Sequence, residues 1–330
     1  MLFRDRIHYG EIGGLSKPVA RVVQGATMIG SDLDARQSFA LLDQVYELGC
    51  NTIDTAHVYS GGNSERIIGQ WMEARGLREQ IVIITKGAAH SEDRRRMRSF
   101  DIASDLHDSL ARLRTDYIDL YLLHRDDPDT RVEPIIDTLN EHQQAGRIHA
   151  FGVSNWSHQR IDSANAYAET NGLKPFVASS PQYSLAESFD EPWPLCLTIS
   201  GSAGVVAREW YQRTKMPLLA WSPLASGFFS GRFRRDNLDL FGEREWDEVA
   251  VRTYAKEANF QRLDRAAVLA SEKGLTTAQV ALAYVTNQPM NLFVVVGPHS
   301  GGKFKANIAA SEIELTPQEL DWLDLKTDTR

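Results

Sequence analysis

Four residues stand out for the chemistry their types could do together: Asp54, Tyr59, Lys86 and His124. Each lies at or just beyond an apolar run that reads as a strand. Asp54 falls at the end of Asn51–Thr55 with Tyr59 five residues on, Lys86 follows Ile81–Thr85, and His124 follows Ile118–Leu123. An acid, a phenol, an amine and an imidazole make an acid–base set. A carboxylate can pair a buried lysine, and an ammonium beside a phenol favours phenolate. That predicts a Tyr59 pKa lowered from about 10 toward the working range. Singly, each residue has a plainer reading: Asp54 as a turn cap, Tyr59 as packing, Lys86 as a solvent-facing cation, His124 as a hydrogen-bonded structural histidine. Their recurrence at successive strand ends reverses that balance.

The scaffold that gathers such ends is legible as an alternation of strand and helix. Eight strand-like runs occur: Val19–Val23, Asn51–Thr55, Ile81–Thr85, Ile118–Leu123, Ile148–Val153, Phe176–Ser179, Pro217–Trp221 and Leu292–Val296. Most are continuous rather than alternating, as expected of parallel strands covered on both faces. Segments with helical spacing lie between them: Asp34–Leu48, Ser64–Arg75, Ile102–Leu113, Val132–Ala145, Ile161–Thr170, Val205–Thr214 and Phe260–Lys273, with Ala278–Tyr284 following. Gly49, Gly76, Gly146, Gly172 and Gly274 follow helix ends, where a left-handed residue is wanted. The pattern predicts an α/β fold, a (β/α)8 TIM barrel over residues 1–330 as one domain, with a doubly wound sheet as the alternative. Residues 1–14 read as an N-terminal β-hairpin over the barrel's bottom. Two long loops follow strands six and seven, at 185–202 and 224–258, and loops of that length are usually functional or mobile.

Composition narrows the function classes. The chain has 330 residues, 42% hydrophobic and 24% charged, with a net charge of −8. An acidic chain is a poor partner for nucleic acid or anionic membrane, and no apolar run approaches the ~18 residues of a membrane helix. Two cysteines, in neither a CxxC nor a disulfide-scaffold pattern, predict a reducing, cytoplasmic compartment. Nine histidines without metal-ligand spacing predict no metal. GSAGVVA at Gly201 lacks the GxGxxG of a dinucleotide fingerprint, Asn155-Trp156-Ser157 is a chance sequon, and the basic run Asp93–Arg98 reads as a solvated loop.

Read together, GCNTIDTAHVYSGGNSERIIG at Gly49, ITKGA at Ile84, DLYLLHRDDP at Asp119, GVSNW at Gly152 and LAWSPLASGFFSGRF at Leu219 resemble the aldo-keto reductases, most closely the bacterial-type members. The likeness runs in order from about Val22 to Asn307. It implies a single barrel that uses NADP(H), with NAD(H) not excluded, to interconvert a small-molecule carbonyl and its alcohol. Asp54, Tyr59, Lys86 and His124 fall on the family's catalytic tetrad. Tyr59 would give the proton to the carbonyl oxygen, Lys86 held by Asp54 would tune it, and His124 would orient the carbonyl.

The resemblance also implies cofactor contacts. Ser154 and Asn155 match the pair that holds the nicotinamide carboxamide, and Trp221 the aromatic that stacks on the ring. Ser222, Pro223, Leu224 and Gly227 match the loop along the diphosphate, with Arg232 an extra contact and Ala26 a further one at the end of the first strand. Asn307 matches the adenine contact and Lys303 the basic residue near the 2′-phosphate. Two departures stand out. ASSPQYS puts Ser180 by register where the family has glutamine, with Gln182 the other candidate. Gly297 replaces a basic residue at the start of the last loop. Met28, Tyr59, His90, Arg125, Trp156, Tyr183 and Phe229 are candidate pocket walls by position. Two other functions fit the same fold: a cofactor-binding regulatory subunit like the potassium-channel β-subunits, and a dehydrogenase working mainly toward alcohol oxidation. Oligomeric state is not fixed by these signals.

Overall fold

A computed structural model describes residues 7–330. The strands among them are β1 (Tyr9–Gly10), β2 (Val19–Ala20), β3 (Val22–Gly25), β4 (Thr52–Asp54), β5 (Val82–Gly87), β6 (Ile118–Leu123), β7 (Ile148–Ser154), β8 (Ser179–Ser180), β9 (Leu218–Trp221) and β10 (Leu292–Val296). The last eight are parallel neighbours and close into a barrel in the order β10-β3-β4-β5-β6-β7-β8-β9. All eight expected strands are therefore in the barrel, and helices lie between them.

Side chains alternate across a strand, so parity decides which residues fill the barrel. Val82 and Ile84 of β5, Leu120 and Leu122 of β6, Ala150 of β7, Leu219 of β9 and Val295 of β10 share one buried apolar cluster inside it. Two residues further along these strands come Lys86, His124 and Trp221. The same alternation that buries the apolar layer thus aims the polar set at the mouth. The other parity, Ile83, Tyr121 and Leu123 for example, packs outward against the helices in a second, larger cluster.

The hairpin differs in detail from the expectation. Tyr9–Gly10 pairs antiparallel with Val19–Ala20, so its second strand lies beyond residue 14 and takes the first two residues of the expected first strand. Residues 1–6 of the expected hairpin lie outside the described residues. Ile12 and Val19 carry the hairpin into the inner cluster, and Lys17 donates to Asp119 at 2.8 Å, closing the bottom. The five glycines expected past helix ends all have positive φ.

Two further helices, Glu245–Tyr254 and Gly301–Ser311, stand where loops were expected. The first makes the long connection after β9 partly helical, and the second carries Lys303 and Asn307. The basic run 93–98 is the expected mostly exposed loop, but a tethered one. Arg94 pairs with Asp101 and Arg96 with Asp105, each at 2.6 Å, and Asp105 also accepts from the Ala88 N–H at 2.8 Å. These pairs pin the segment after β5 to the next helix.

Candidate active site

Lys86 lies at the centre of the mouth, 3% exposed, and Asp54 beside it is 4% exposed. Lys86 Nζ donates to Asp54 Oδ1 at 2.6 Å, to the Thr55 carbonyl at 2.8 Å and to the Tyr59 hydroxyl at 3.5 Å. Three acceptors for three N–H bonds leave the buried ammonium satisfied. Burial opposes its charge, but Asp54 and Tyr59 outweigh that and hold the Lys86 pKa above its ordinary value. His124 closes the set, its ring edge-on to Tyr59 with centroids 5.6 Å apart. The structure therefore brings Asp54, Tyr59, Lys86 and His124 into one constellation.

The sequence-based expectation for Tyr59 needs a correction. Burial raises its pKa, and the attraction of Lys86 offsets only part of that, so the net direction is upward. The phenol stays protonated. Because Lys86 donates to the phenol oxygen, the phenol's own proton remains available to an acceptor in the mouth. His124 moves the other way. Burial, reinforced by the positive neighbours Arg125, Lys86 and His90, holds its pKa well below the ordinary range, so the imidazole is neutral and offers one N–H.

The loop carrying Tyr59 is held from behind by motif residues with no role assigned in the sequence, together with Arg112 from outside the motifs. Thr85 donates to Glu65 at 2.7 Å, and Arg112 donates to the His57 carbonyl at 2.8 Å and to Glu65 at 3.3 Å. Gly62 makes room for this arginine: a Cβ there would meet the Arg112 guanidinium at 2.6 Å, and its φ of +87° suits glycine. Thr55 Oγ1 lies 2.9 Å from the Ser64 hydroxyl, which donates to the Ala26 carbonyl at 2.9 Å. Ala26 thus joins the end of β3 to the tetrad loop.

The opposite wall is built differently. Ser154 donates to the Ser180 carbonyl at 2.8 Å, and Ser180 to the Leu219 carbonyl at 2.8 Å, which ties the ends of β7, β8 and β9 together. Asn155, at φ +62°, donates to the His124 carbonyl at 3.1 Å and the Ser154 hydroxyl at 3.0 Å, and accepts from the Leu197 N–H at 3.0 Å. Gln182 is fully buried, bonded to Ser184 at 2.9 Å and Ser200 at 3.1 Å, and pins the 185–202 segment to the barrel. Of the two candidates at this position, Ser180 is therefore the one at a strand end.

After β9, Trp221 is half-buried and its indole N–H is enclosed without a protein partner, as is one carboxylate oxygen of Asp54. Positive φ values follow at Ser222, Ala225, Ser226 and Gly227, while Leu224 is at −104°. A right-handed residue followed by a left-handed one turns successive N–H groups into a nest for an anion. Pro223 is buried within this turn. Arg232 sits beside this turn, its Nη2 3.8 Å from where a Gly227 Cβ would be, with its guanidinium also 2.8 Å from Asp247. Gly297 leaves space that the Met28 methyl fills: a Cβ there would meet Met28 Cε at 2.8 Å. Lys303 is exposed on the first turn of the helix after β10, and Asn307 is half-buried one turn on.

The candidate walls divide. Tyr59, His90 and Arg125 are half-buried on segments at the mouth, but Met28, Trp156, Tyr183 and Phe229 are buried members of the outer core. In their place the two long segments supply Trp193 and Trp246. Trp193 lies 6.1 Å from Trp221 and 4.8 Å, edge-on, from Trp246, and its N–H donates to Glu245 at 2.9 Å. Arg252 donates to Asp190 at 2.6 Å and to the Pro192 carbonyl at 3.0 Å. Together these contacts make the two segments one clasp across the mouth. Among the described residues, no group of three or more His, Cys, Asp or Glu is placed to hold a metal ion, and no helix is long and apolar enough to cross a membrane.

Comparison with known proteins finds relatives along nearly the whole chain. The chain is 28% identical to a putative aryl-alcohol dehydrogenase of Saccharomyces cerevisiae, over 93% of this chain and 82% of that protein. It is 29% identical to an aryl-alcohol dehydrogenase [NADP(+)] of Phanerodontia chrysosporium, over 94% and 83%. It is also 28% identical to a probable voltage-gated potassium channel subunit beta of Oryza sativa subsp. japonica, over 96% of each. The sequence profile of the aldo/keto reductase family matches residues 21–327, and the chain belongs to that family of oxidoreductases acting on carbonyls or alcohols.

Proposed function

We propose that this chain is an NADP(H)-dependent reductase of aldehydes or ketones, with Tyr59 as proton donor. The observation that carries the reading is the Lys86 ammonium, shared between Asp54 and the phenol oxygen of a tyrosine that burial keeps protonated. A reduced nicotinamide, when bound, supplies the hydride. The rest falls to the chain. Tyr59 donates its proton to the carbonyl oxygen as negative charge develops there. Lys86 is held against the phenol oxygen by Asp54 and stabilises the phenolate left behind. The neutral His124 offers its N–H to the same oxygen and so fixes the carbonyl's orientation.

Residues on the far side of the mouth suit the dinucleotide. Trp221 provides a flat face, and Ser154, Asn155 and Ser180 are the polar groups nearest a carboxamide. Ala26, fully buried and bonded to Asp54 and Ser64, acts from behind the site, and the turn Ser222–Gly227 offers backbone N–H groups to the diphosphate. Arg232, beside Gly227 and paired with Asp247, adds a cation near the diphosphate. Lys303 selects the 2′-phosphate and Asn307 meets the adenine. The relative named for NADP(+) supports the same preference.

The test is oxidation of NADPH against NADH with a panel of aromatic and aliphatic aldehydes. The expected result is turnover with NADPH and weaker binding of NADH. Comparable affinity for the two would remove the assignment of Lys303. Tight NADPH binding with no turnover of any aldehyde would favour a regulatory subunit instead, the reading that the potassium-channel relative supports.

A further inference from the structure

Arg125 directly follows His124 at the end of β6 and is half-buried at the mouth. Its Nη1 donates to the His124 carbonyl at 2.9 Å and its Nε to the Pro194 carbonyl at 3.1 Å. Both partners are neutral. Among the described residues no carboxylate lies within ion-pair distance of it, while its neighbours on the same rim are all paired: Arg94 with Asp101, Arg95 with Asp127, Arg96 with Asp105 and Arg160 with Asp126. The nearby acids are committed elsewhere. Asp126 accepts from Arg160 at 2.7 Å, Asp127 from Arg95 at 3.2 Å and Thr130 at 2.7 Å, and Glu191 from the Leu195 N–H at 3.0 Å. In a chain of net charge −8, this cation at the mouth is left uncompensated.

A second group faces the same place. His90 lies three residues past the end of β5, the strand paired with β6 through Gly87 and Leu123. Its Nδ1 is enclosed without a protein partner. The segment that carries it is the one pinned by Arg94 and Arg96, so the ring is presented on a fixed loop. Burial and the charges of Arg125 and Arg95 hold its pKa below the ordinary range, so it is neutral until an anion arrives. Barrel order places β5 and β6 across the mouth from β9 and β10, whose following segments are assigned above to the diphosphate and adenine. Arg125 and His90 are therefore at the substrate end.

We infer that Arg125, with His90 beside it, is a recognition subsite for an anionic group on the substrate, which makes the preferred substrate a carbonyl compound that also bears a carboxylate. A guanidinium that spends Nε and one Nη1 hydrogen on carbonyls keeps its Nη2 side for a carboxylate, the acceptor its planar fork suits. Trp193, next in the chain to the Pro194 whose carbonyl Arg125 holds, supplies an apolar surface beside that anion. This inference rests on the proposed reductase reading.

The experiment compares kcat/KM for 3- and 4-carboxybenzaldehyde with that for the methyl ester of each, in the wild type, Arg125→Gln and Arg125→Lys. The expected acid-to-ester ratio is about 10- to 100-fold for at least one pair in the wild type, as for a hydrogen bond to a charged group. Arg125→Gln should bring that ratio to near one, whatever happens to the ester rate. Arg125→Lys keeps the charge but loses the fork, and should give a ratio between those of the wild type and Arg125→Gln. A wild-type ratio near one for both pairs, or a ratio unchanged in Arg125→Gln, overturns the subsite. Calorimetric titration of 4-(hydroxymethyl)benzoate and its methyl ester, with and without NADP+, reads the subsite without turnover. Failure to reduce any of these aldehydes, with acid-selective binding that Arg125→Gln abolishes, would sink the reductase reading and keep the anion site. Equal binding of acid and ester would sink the anion site.

Discussion

The two halves of the barrel mouth are built on different principles. On the β4–β6 side, three of the four principal groups are within two residues of a barrel strand, and the buried ion pair Lys86–Asp54 holds the centre at 2.6 Å. On the β8–β9 side the wall comes from the chain between strands: Trp193, Trp246 and Arg252 on two long segments that hold each other by ring contacts and partly exposed ion pairs. The first half has its geometry fixed by sheet register, where a shift of one residue would turn Lys86 out of the barrel. The second can change without disturbing the sheet. The groups proposed for the chemistry thus stand where the fold is least negotiable, and the aromatic wall where it is most so.

The sharpest way to break that contrast is Asp54→Ala. It strands a buried ammonium, and the expected loss is about 3–5 kcal/mol of stability together with most of the activity. Denaturant unfolding and NADPH oxidation would read the two effects. The paired variant Asp54→Leu with Lys86→Met should recover much of the stability and none of the activity. Recovery of both would show that the pair is scaffold alone.

A smaller effect is expected from pH. The folded-state pKa of His124 is depressed, so between that value and about 6.5 the unfolded chain binds the extra proton and stability falls as pH falls. His90, His142 and His149 shift in the same direction. The share that belongs to His124 is therefore the difference in slope between the wild type and His124→Gln, at most about 1.4 kcal/mol per pH unit. Thermal midpoints from pH 7.5 downward give that slope. Parallel slopes for the two proteins would mean that His124 is not kept neutral by its surroundings.

The smallest effect belongs to the clasp. Trp193→Ala removes an edge-on ring contact worth about 0.5–1.5 kcal/mol. It should raise KM for aromatic aldehydes by less than about tenfold, with kcat little changed. A large fall in kcat with KM unmoved would place Trp193 in the chemistry and erase the distinction between the halves.

Legibility in the sequence follows the same division. Continuous apolar runs ending in Asp54, Lys86 and His124 are local signals, and they reported both the barrel and the polar constellation at its mouth. The clasp left none, because Trp193 and Glu245 are 52 residues apart and their contact exists only once both segments fold back over the mouth. Helix Glu245–Tyr254 begins in a dense run of charge that reads as a solvated loop, and helix Gly301–Ser311 begins with two glycines. The Tyr59 shift was misjudged for a related reason. A lysine beside a phenol is visible in sequence, but the depth of burial that outweighs it is not. Arg125 was visible as a candidate wall, while the absence of a carboxylate beside it was not.

The central claim is that the Tyr59 proton, not merely the shape of the mouth, is what the reaction uses. Tyr59→Phe removes one hydroxyl and leaves the ring against His124 and the Lys86–Asp54 pair in place. Measured by single-turnover NADPH oxidation with benzaldehyde, beside a fluorescence titration of NADPH, it should keep its cofactor affinity and lose about 10²- to 10⁴-fold in rate, as for a missing general acid. A variant that binds NADPH normally and reduces benzaldehyde at the wild-type rate would contradict the account.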